Sequence, residues 1–222
     1  MRISNIWAVI PAYNEEKNIA DIIKKTKKYV NNVLVIDDGS KDKTKEVAEK
    51  ASATVLRHIV NLGKGAALKT GCDYAIKNYA KYIVALDADA QHNPEDIPRF
   101  IERLKKYDIV FSYRKASKKM PLVLRFGNQF ISNVVRTVYG VSLNDTQSGF
   151  RAFSKEAYKK IRWNAADYSM ESEMIARVGK QKLKYVQIPI QTIYSDKYKG
   201  TTVIDGIKIV LNMIWWKLFN NR

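Results

Sequence analysis

The chain has little of what staples, spans or coordinates. Cys72 is its only cysteine, so no intrachain disulfide can form. No signal peptide opens it, and with a lone cysteine we expect a reducing, cytoplasmic setting. Cys72 itself is expected to be a small buried residue. Histidine occurs twice, at His58 and His92; there is no His/Cys cluster of zinc type, and both are expected to be structural. No uncharged apolar run approaches the ~20 residues that a spanning helix needs. The Gly-x4-Gly-Lys-Ser/Thr spacing of a P-loop is missing, and no Gly-x-Gly-x-x-Gly follows the first apolar run, which counts against a dehydrogenase. A Gly-rich N-terminal loop of nucleotidyltransferase type is missing too. Repeats and low-complexity linkers are absent, so 222 residues read as one sizeable domain.

Acid is the other shortage. The net charge is +17, with 46% hydrophobic and 27% charged residues, a globular composition that calls for anionic partners. From Tyr113 to Arg136 there are six basic residues and no acid; from Lys180 to Arg222 there are eight against two acids. Both stretches also carry many apolar side chains, which favours an acidic membrane surface or phosphorylated substrate over nucleic acid.

Short apolar runs alternate with helical patterns through the first half. Ile6 to Ile10, Val33 to Ile36, Thr54 to Leu56, Tyr82 to Leu86 and Ile109 to Ser112 read as strands. Asn18 to Tyr29, Lys43 to Ala51, Lys64 to Asn78 and Pro94 to Lys106 read as helices, the last with Asn93 as its cap. Such alternation predicts an α/β fold with a mostly parallel sheet covered on both faces, and ligands at the carboxyl ends of its strands. Polar clusters fall at three of those ends: Pro11 to Glu16, Asp37 to Ser40, and Asp87 to Gln91. A further helical pattern, Pro121 to Tyr139, aligns Arg125, Ser132 and Arg136 on one stripe. Thr202 to Phe219 is strongly apolar but interrupted by Asp205, Lys208 and Lys217. With Trp215 and Trp216 beside Lys217, it fits a helix lying in a membrane interface, the alternative being a core or dimer helix.

The chemistry-bearing cluster is Asp87-Ala88-Asp89-Ala90-Gln91. If the strand continued, alternate side chains would share a face, and Asp87, Asp89 and Gln91 would offer hard oxygens suited to Mg²⁺ or Mn²⁺. By itself a lone Asp-x-Asp reads first as a polar turn after a strand. Asp37 and Asp38 end another strand and can accept from ribose hydroxyls or base N–H groups. Asn61-Leu62-Gly63-Lys64-Gly65 opens a helix whose amides could face a phosphate.

Together these blocks resemble the family 2 inverting glycosyltransferases of the GT-A fold, in the branch of dolichyl-phosphate mannose synthase. The matching stretches are Val9 to Glu16, Val35 to Thr44, Asn61 to Gly71, Asp87 to Pro94, and Asp145-Thr146-Gln147-Ser148-Gly149-Phe150-Arg151. The resemblance implies a Rossmann-like catalytic domain over residues 1–200, followed by an amphipathic helix over 201–222. It implies that Pro11, Tyr13 and Glu15 line a nucleotide pocket, that Asp37 and Asp38 contact base and ribose, and that Asp87 lies beside the nucleotide. Asp89 and Gln91 would hold Mg²⁺ or Mn²⁺ against the diphosphate. Arg114 would approach the reacting phosphates, Arg125 would grip a lipid phosphate, and Lys197 would cover the diphosphate, where the family more often has Arg. Ile36, Lys64, Ala88 and Asp145 lie inside the matching blocks and join the substrate-binding set. The implied activity moves a hexose, mannose foremost, from GDP-mannose or a UDP-hexose to a polyprenyl (dolichyl) phosphate. A phosphate acceptor needs cations but no base; a sugar-hydroxyl acceptor, the alternative, would need Asp145 or Glu171 as base. A non-enzymatic basic binder is the remaining reading. Some family members carry further transmembrane helices; this chain resembles the peripheral form, at the inner face of the cell membrane, alone, as a homodimer or with a small membrane partner.

Overall fold

The strands assemble into one seven-stranded sheet, which sets where every loop emerges. The computed structural model describes residues 5–114 and 132–191. The strands are β1 (Ile6–Ala12), β2 (Asn32–Asp37), β3 (Thr54–Arg57), β4 (Tyr82–Ala85), β5 (Ile109–Arg114), β6 (Arg151–Ser154) and β7 (Tyr185–Ile190), ordered β3-β2-β1-β4-β6-β5-β7. Every pairing is parallel except those of β6, which runs against both β4 and β5. The helices are α1 (Ile19–Thr26), α2 (Thr44–Lys50), α3 (Lys64–Lys77), α4 (Ile97–Arg103), the described part of α5 (132–139), α6 (Lys155–Ile161) and α7 (Met170–Lys180).

The apolar runs are continuous rather than alternating because the central strands are covered on both sides. One layer packs Val9, Leu34, Ile36 and Ile83 against α3, α6 and α7; the other packs Ile10, Val35 and Val84 against Ile19, Ile22 and Phe100 of α1 and α4. Cys72 is buried in the first layer, and burial pushes its thiol well above the ordinary value. Among the described residues no helix is long and apolar enough to cross a membrane.

Two strands go beyond the expected set, and two expectations need correction. Strands β6 and β7 carry no clear periodic signal: β6 opens on a charged Arg151 and spans four residues, and β7 contains Pro189. The helix after Asn93 begins as a 3₁₀ turn (Pro94–Asp96), and its regular part stops at Arg103 rather than Lys106; Asn93 does cap it, accepting from Glu95 N at 3.2 Å. On α5, Ser132 is buried whereas Arg136 is exposed, so the two do not share a solvated stripe. Arg125, Lys197 and the segment 201–222 lie outside the described residues.

The sheet topology fixes the site. From β1 the chain winds outward through β2 and β3, then returns to place β4 on the other side of β1. The crevice of an open α/β sheet forms at such a reversal. Because β6 is antiparallel, its first residue, Arg151, pairs with Ala85, the last residue of β4, and with Phe111 in the middle of β5. The block Asp145 to Phe150 is thereby delivered to the same edge as Asp87 and Arg114.

Helix α3 can approach β1 and β2 only because residue 71 is glycine: a Cβ there would overlap Val9 Cγ1 and lie 3.0 Å from Ile36 Cγ1. Gly71→Ala is expected to lower stability by about 1–2 kcal/mol, overpacking outweighing the gain in helix propensity. Urea unfolding would read this as a lower midpoint with an unchanged slope; an unchanged midpoint would mean that α3 can shift freely.

Candidate active site

Above the β1/β4 switch point lies an open cavity of about 700 Å³. Its first wall is the β1 exit: Pro11, Tyr13 and Glu15 line it, as does Asn14, whose positive φ of 55° turns the chain over the sheet edge. Glu15 is fixed by its own N–H donating to Thr44 Oγ1 (2.8 Å) and by its carboxylate accepting from Asn18 Nδ2 (2.8 Å).

The second wall follows β4. Asp87, Ala88, Asp89 and Gln91 all line the cavity, but not by strand alternation. The strand ends at Ala85, and Ala90 turns left-handed at φ 62°. Gln91 N donates to Asp89 Oδ1 at 3.0 Å, an Asx turn that brings the side chains together. His92 lies beneath, tilted against Phe150 at 5.4 Å between centroids, with Asp87 N donating to its Nδ1 at 3.3 Å. His92 also lines the cavity; burial lowers its pKa to about 4, outweighing the pull of Asp87, so its imidazole is neutral at pH 7.

The floor is a buried chain of charges. Lys64 Nζ lies 2.8 Å from Asp87 Oδ1 and 3.2 Å from Glu171 Oε1; Arg151 Nη2 reaches the same Glu171 oxygen at 3.6 Å. Arg151 also donates to Ser148 O at 2.6 Å. Burial disfavours the Lys64 ammonium, but Asp87 and Glu171 outweigh it and hold its pKa above the ordinary value. Burial likewise opposes ionised Asp87, and the Lys64 ammonium prevails, holding it at about 2. Asp89 goes the other way, raised to about 6 by burial and by the charge of Asp87. Among the described residues no cation pairs with Asp89, and no cluster of three acidic, His or Cys side chains surrounds a common point.

The third wall comes from β5 and the block before β6. Arg114 lines the cavity while its guanidinium holds Asp145 by two contacts, Nε–Oδ2 at 2.6 Å and Nη2–Oδ1 at 3.1 Å. Gly149 lies against Asp87, whose carboxylate occupies the space that a Cβ would need.

The remaining expected residues fall elsewhere. Ile36 is core, and Asp37 is wholly buried, accepting from Ser40 N (3.0 Å) with Arg57 Nε at 3.4 Å; neither lines the cavity, nor does Asp145. Asp38 does, but its carboxylate is committed to structure: it accepts from Leu62 N (3.0 Å) and Gly63 N (2.9 Å), with His58 Nδ1 at 2.7 Å. Two amides of the Asn61–Gly65 motif are therefore committed within the fold and not to a phosphate. Those of residues 62 and 63 serve Asp38, and Ala66 N serves Ala166 O at 3.0 Å. The glycines answer the same packing. Gly63, at φ 95°, and Gly65 each leave room where a Cβ would stand 2.5 Å from a carbonyl of the 165–166 segment.

Sequence pattern gave no sign of Tyr168, on the cavity rim 5.6 Å from Lys64 Nζ, or of Arg151 as a buried partner. Glu171 was legible only as a possible base. Lys64→Met would leave Asp87 and Glu171 buried beside a single remaining cation. It is expected to cost about 3 kcal/mol in chemical denaturation, whereas Lys64→Arg should recover part of that. Wild-type stability in the methionine variant would show that the two acids relax to solvent.

Comparisons with known proteins agree with this geometry. The family model "Glycosyl transferase family 2" matches residues 7–162. A protein of Methanocaldococcus jannaschii without assigned activity is 41% identical over 96% of this chain and 93% of its own length. The UDP-N-acetylglucosamine–dolichyl-phosphate N-acetylglucosaminyltransferase of Methanococcus voltae is 34% identical, covering 96% of each chain. Among solved structures, glucosyl-3-phosphoglycerate synthase of Mycobacterium tuberculosis, crystallised with Mn²⁺, UDP-glucose and phosphoglyceric acid, superposes with a TM-score of 0.73 at 20% identity, over 97% of this chain and 79% of that one. The sheet order, the cavity at its switch point and these matches lead to one assignment: the chain has the GT-A fold and belongs to glycosyl transferase family 2.

Proposed function

We propose that this protein transfers a hexose from a nucleoside diphosphate sugar to a polyprenyl phosphate, inverting the anomeric carbon, at the inner face of the cell membrane. Its main support is the engagement of the carboxylates in and beside the cavity. Glu171 is held by Lys64 and Arg151, Asp87 by Lys64, Asp38 by backbone amides and Glu15 by Asn18, while Asp145, just outside the lining, is held by Arg114 through two contacts. A sugar-hydroxyl acceptor needs a carboxylate to take its proton. A phosphate monoester, with its second pKa near 6, is already charged and nucleophilic at neutral pH and needs none. The Methanococcus voltae relative, which by name acts on dolichyl phosphate, supports the same acceptor.

Asp89 is the cavity carboxylate held by no other side chain among the described contacts, and its chemistry fits a divalent cation: hard oxygens, no cation within ion-pair distance among the described residues, and a neighbouring charge on Asp87 that a metal would relieve. Asp89 and Gln91 would hold Mg²⁺ or Mn²⁺, with further oxygens from the diphosphate. The ion would neutralise charge on the departing nucleoside diphosphate. The protein's own part is positional. Pro11, Tyr13 and Glu15 border the nucleotide, and Arg114, braced by Asp145, faces the reacting phosphates. Arg125 and Lys197 are assigned to the lipid phosphate and the diphosphate. An oxygen of the lipid phosphate attacks the anomeric carbon opposite the leaving group. The new C–O bond forms as the bond to the β-phosphate breaks, and that electron pair departs with the nucleoside diphosphate. For the sugar, the sequence resemblance favours mannose from GDP-mannose, and the Methanococcus voltae relative favours N-acetylglucosamine from UDP.

Radiolabelled GDP-mannose, UDP-N-acetylglucosamine and UDP-glucose, offered separately with a short polyprenyl phosphate, are expected to give label in the organic phase from one donor. Chelation should abolish transfer, and Mg²⁺ or Mn²⁺ should restore it. Asp89→Ala should lower the rate roughly a hundredfold or more. Label delivered to glycan but never to lipid, or an Asp89→Ala enzyme of normal rate, would sink this reading.

A further inference from the structure

Large hydrophobic side chains are rarely left in water together without a reason. Among the described residues six are exposed, and five of these border the cavity or sit in the loop that enters it. They are Tyr13 and Tyr168 on its lining and Ile59, Val60 and Leu62 between β3 and α3. Ile59 is 99% exposed, Val60 60% and Leu62 49%. Asn61 and Gly63 of the same loop line the cavity, so the apolar tips and the cavity share one stretch of chain.

The loop is rigid as well as apolar. Asp38 takes the amides of Leu62 and Gly63, and His58 is held between Asp38 Oδ1 (2.7 Å) and Thr70 Oγ1 (3.1 Å). The backbone at Val60 and Asn61 presses on Gly39, where a Cβ would stand 2.6 Å from Val60 C. A surface held in place loses little entropy on docking. Exposed basic residues flank it: Lys41 and Lys43 on the segment that meets it through Gly39, and Arg57 at the loop's start, whose Nη2 donates to Ser40 O (2.9 Å) and whose Nε faces Asp37 while the side chain stays partly open to solvent.

We infer that the 58–62 loop is a membrane-docking element, inserting Ile59 and Val60 into an anionic bilayer while Arg57, Lys41 and Lys43 meet its headgroups. Apolar tips ringed by lysine and arginine suit an acidic lipid surface, and the chain's charge of +17 adds long-range attraction. The inference rests on the lipid-phosphate reading for its purpose, since it brings the cavity mouth to the plane where such an acceptor lies. It adds a contact in the catalytic domain itself, apart from the apolar C-terminal segment.

The test is co-sedimentation of the full chain with vesicles of equal parts phosphatidylglycerol and phosphatidylcholine. Ile59→Asp/Val60→Asp is compared with Ile59→Ser/Val60→Ser and with Tyr79→Ser. Tyr79 is exposed beyond the far end of α3, roughly 20 Å from the cavity end. The aspartate pair should weaken vesicle binding about tenfold or more, the serine pair less but in the same direction, and Tyr79→Ser not at all, with equal thermal unfolding throughout. Transfer to vesicle-borne polyprenyl phosphate should fall in parallel, while transfer to a short, water-soluble prenyl phosphate is kept. Wild-type protein that ignores the vesicles, or loop variants that bind as wild type does, would overturn the inference. So would variants that change only the elution volume, which would make the loop a protein interface. If no lipid-linked sugar forms with any acceptor while vesicle binding still depends on the loop, the docking role stands and the acceptor reading falls.

Discussion

Asp87 and Glu171 share one ammonium, and separate parts of the fold meet at it. Lys64 opens α3, Asp87 follows β4, Glu171 lies in the first turn of α7, and Arg151 begins β6. Buried charges are expensive to desolvate, and an apolar cluster of like volume would hold these elements together at least as well. The network therefore makes most sense as a set of positions. It fixes the carboxylate of Asp87, ionised, at the cavity floor, and it fixes where α3 and α7 start relative to the sheet. Gly63, Gly65 and Gly149 follow from it, because each removes a side chain that would hold these segments apart.

That network is also neutral: two cations balance two carboxylates. The floor thus contributes little net field, and the attraction of an anionic substrate falls to the molecule's overall charge of +17 and to the cations near the mouth. Asp89 stands outside the balance. It lies beside an ionised Asp87 with no cation of its own among the described residues, which is why its pKa rises while that of its neighbour two residues away falls.

The parallel half of the sheet was legible because buried strands leave continuous apolar runs and the helices between them carry caps and periodicity. Strands β6 and β7 were not, since four residues opening on arginine, and six containing proline, resemble loops until the neighbouring strands are in place. The site divides in the same way. Side chains at the exits of β1 and β4 were found because they follow a strand, although Asp87, Asp89 and Gln91 converge through a left-handed turn and not through strand alternation. Asp37 and Asp38 were read as ligand contacts because acids at strand ends often are. Long-range partners decide their role here: the amides of 62 and 63, and Arg57, are remote in sequence. No local pattern marks Arg151 or Tyr168, because their meaning lies in what the fold sets beside them.

The reversal of β6 carries one more implication. The chain leaves the sheet at Arg114 and re-enters it at Arg151, both at the edge that bears the cavity. The last described residues before Arg151 stay on the site's own side, with Asp145 held by Arg114 and Gly149 set against Asp87. Val135, Val141 and Leu143 of the same stretch are buried with Val9 and Ile83, and Phe150 stacks on Phe100. A change of sequence there is therefore felt by the sheet and by the β4 exit together, so the wall of the cavity cannot be remodelled on this side without answering to the core.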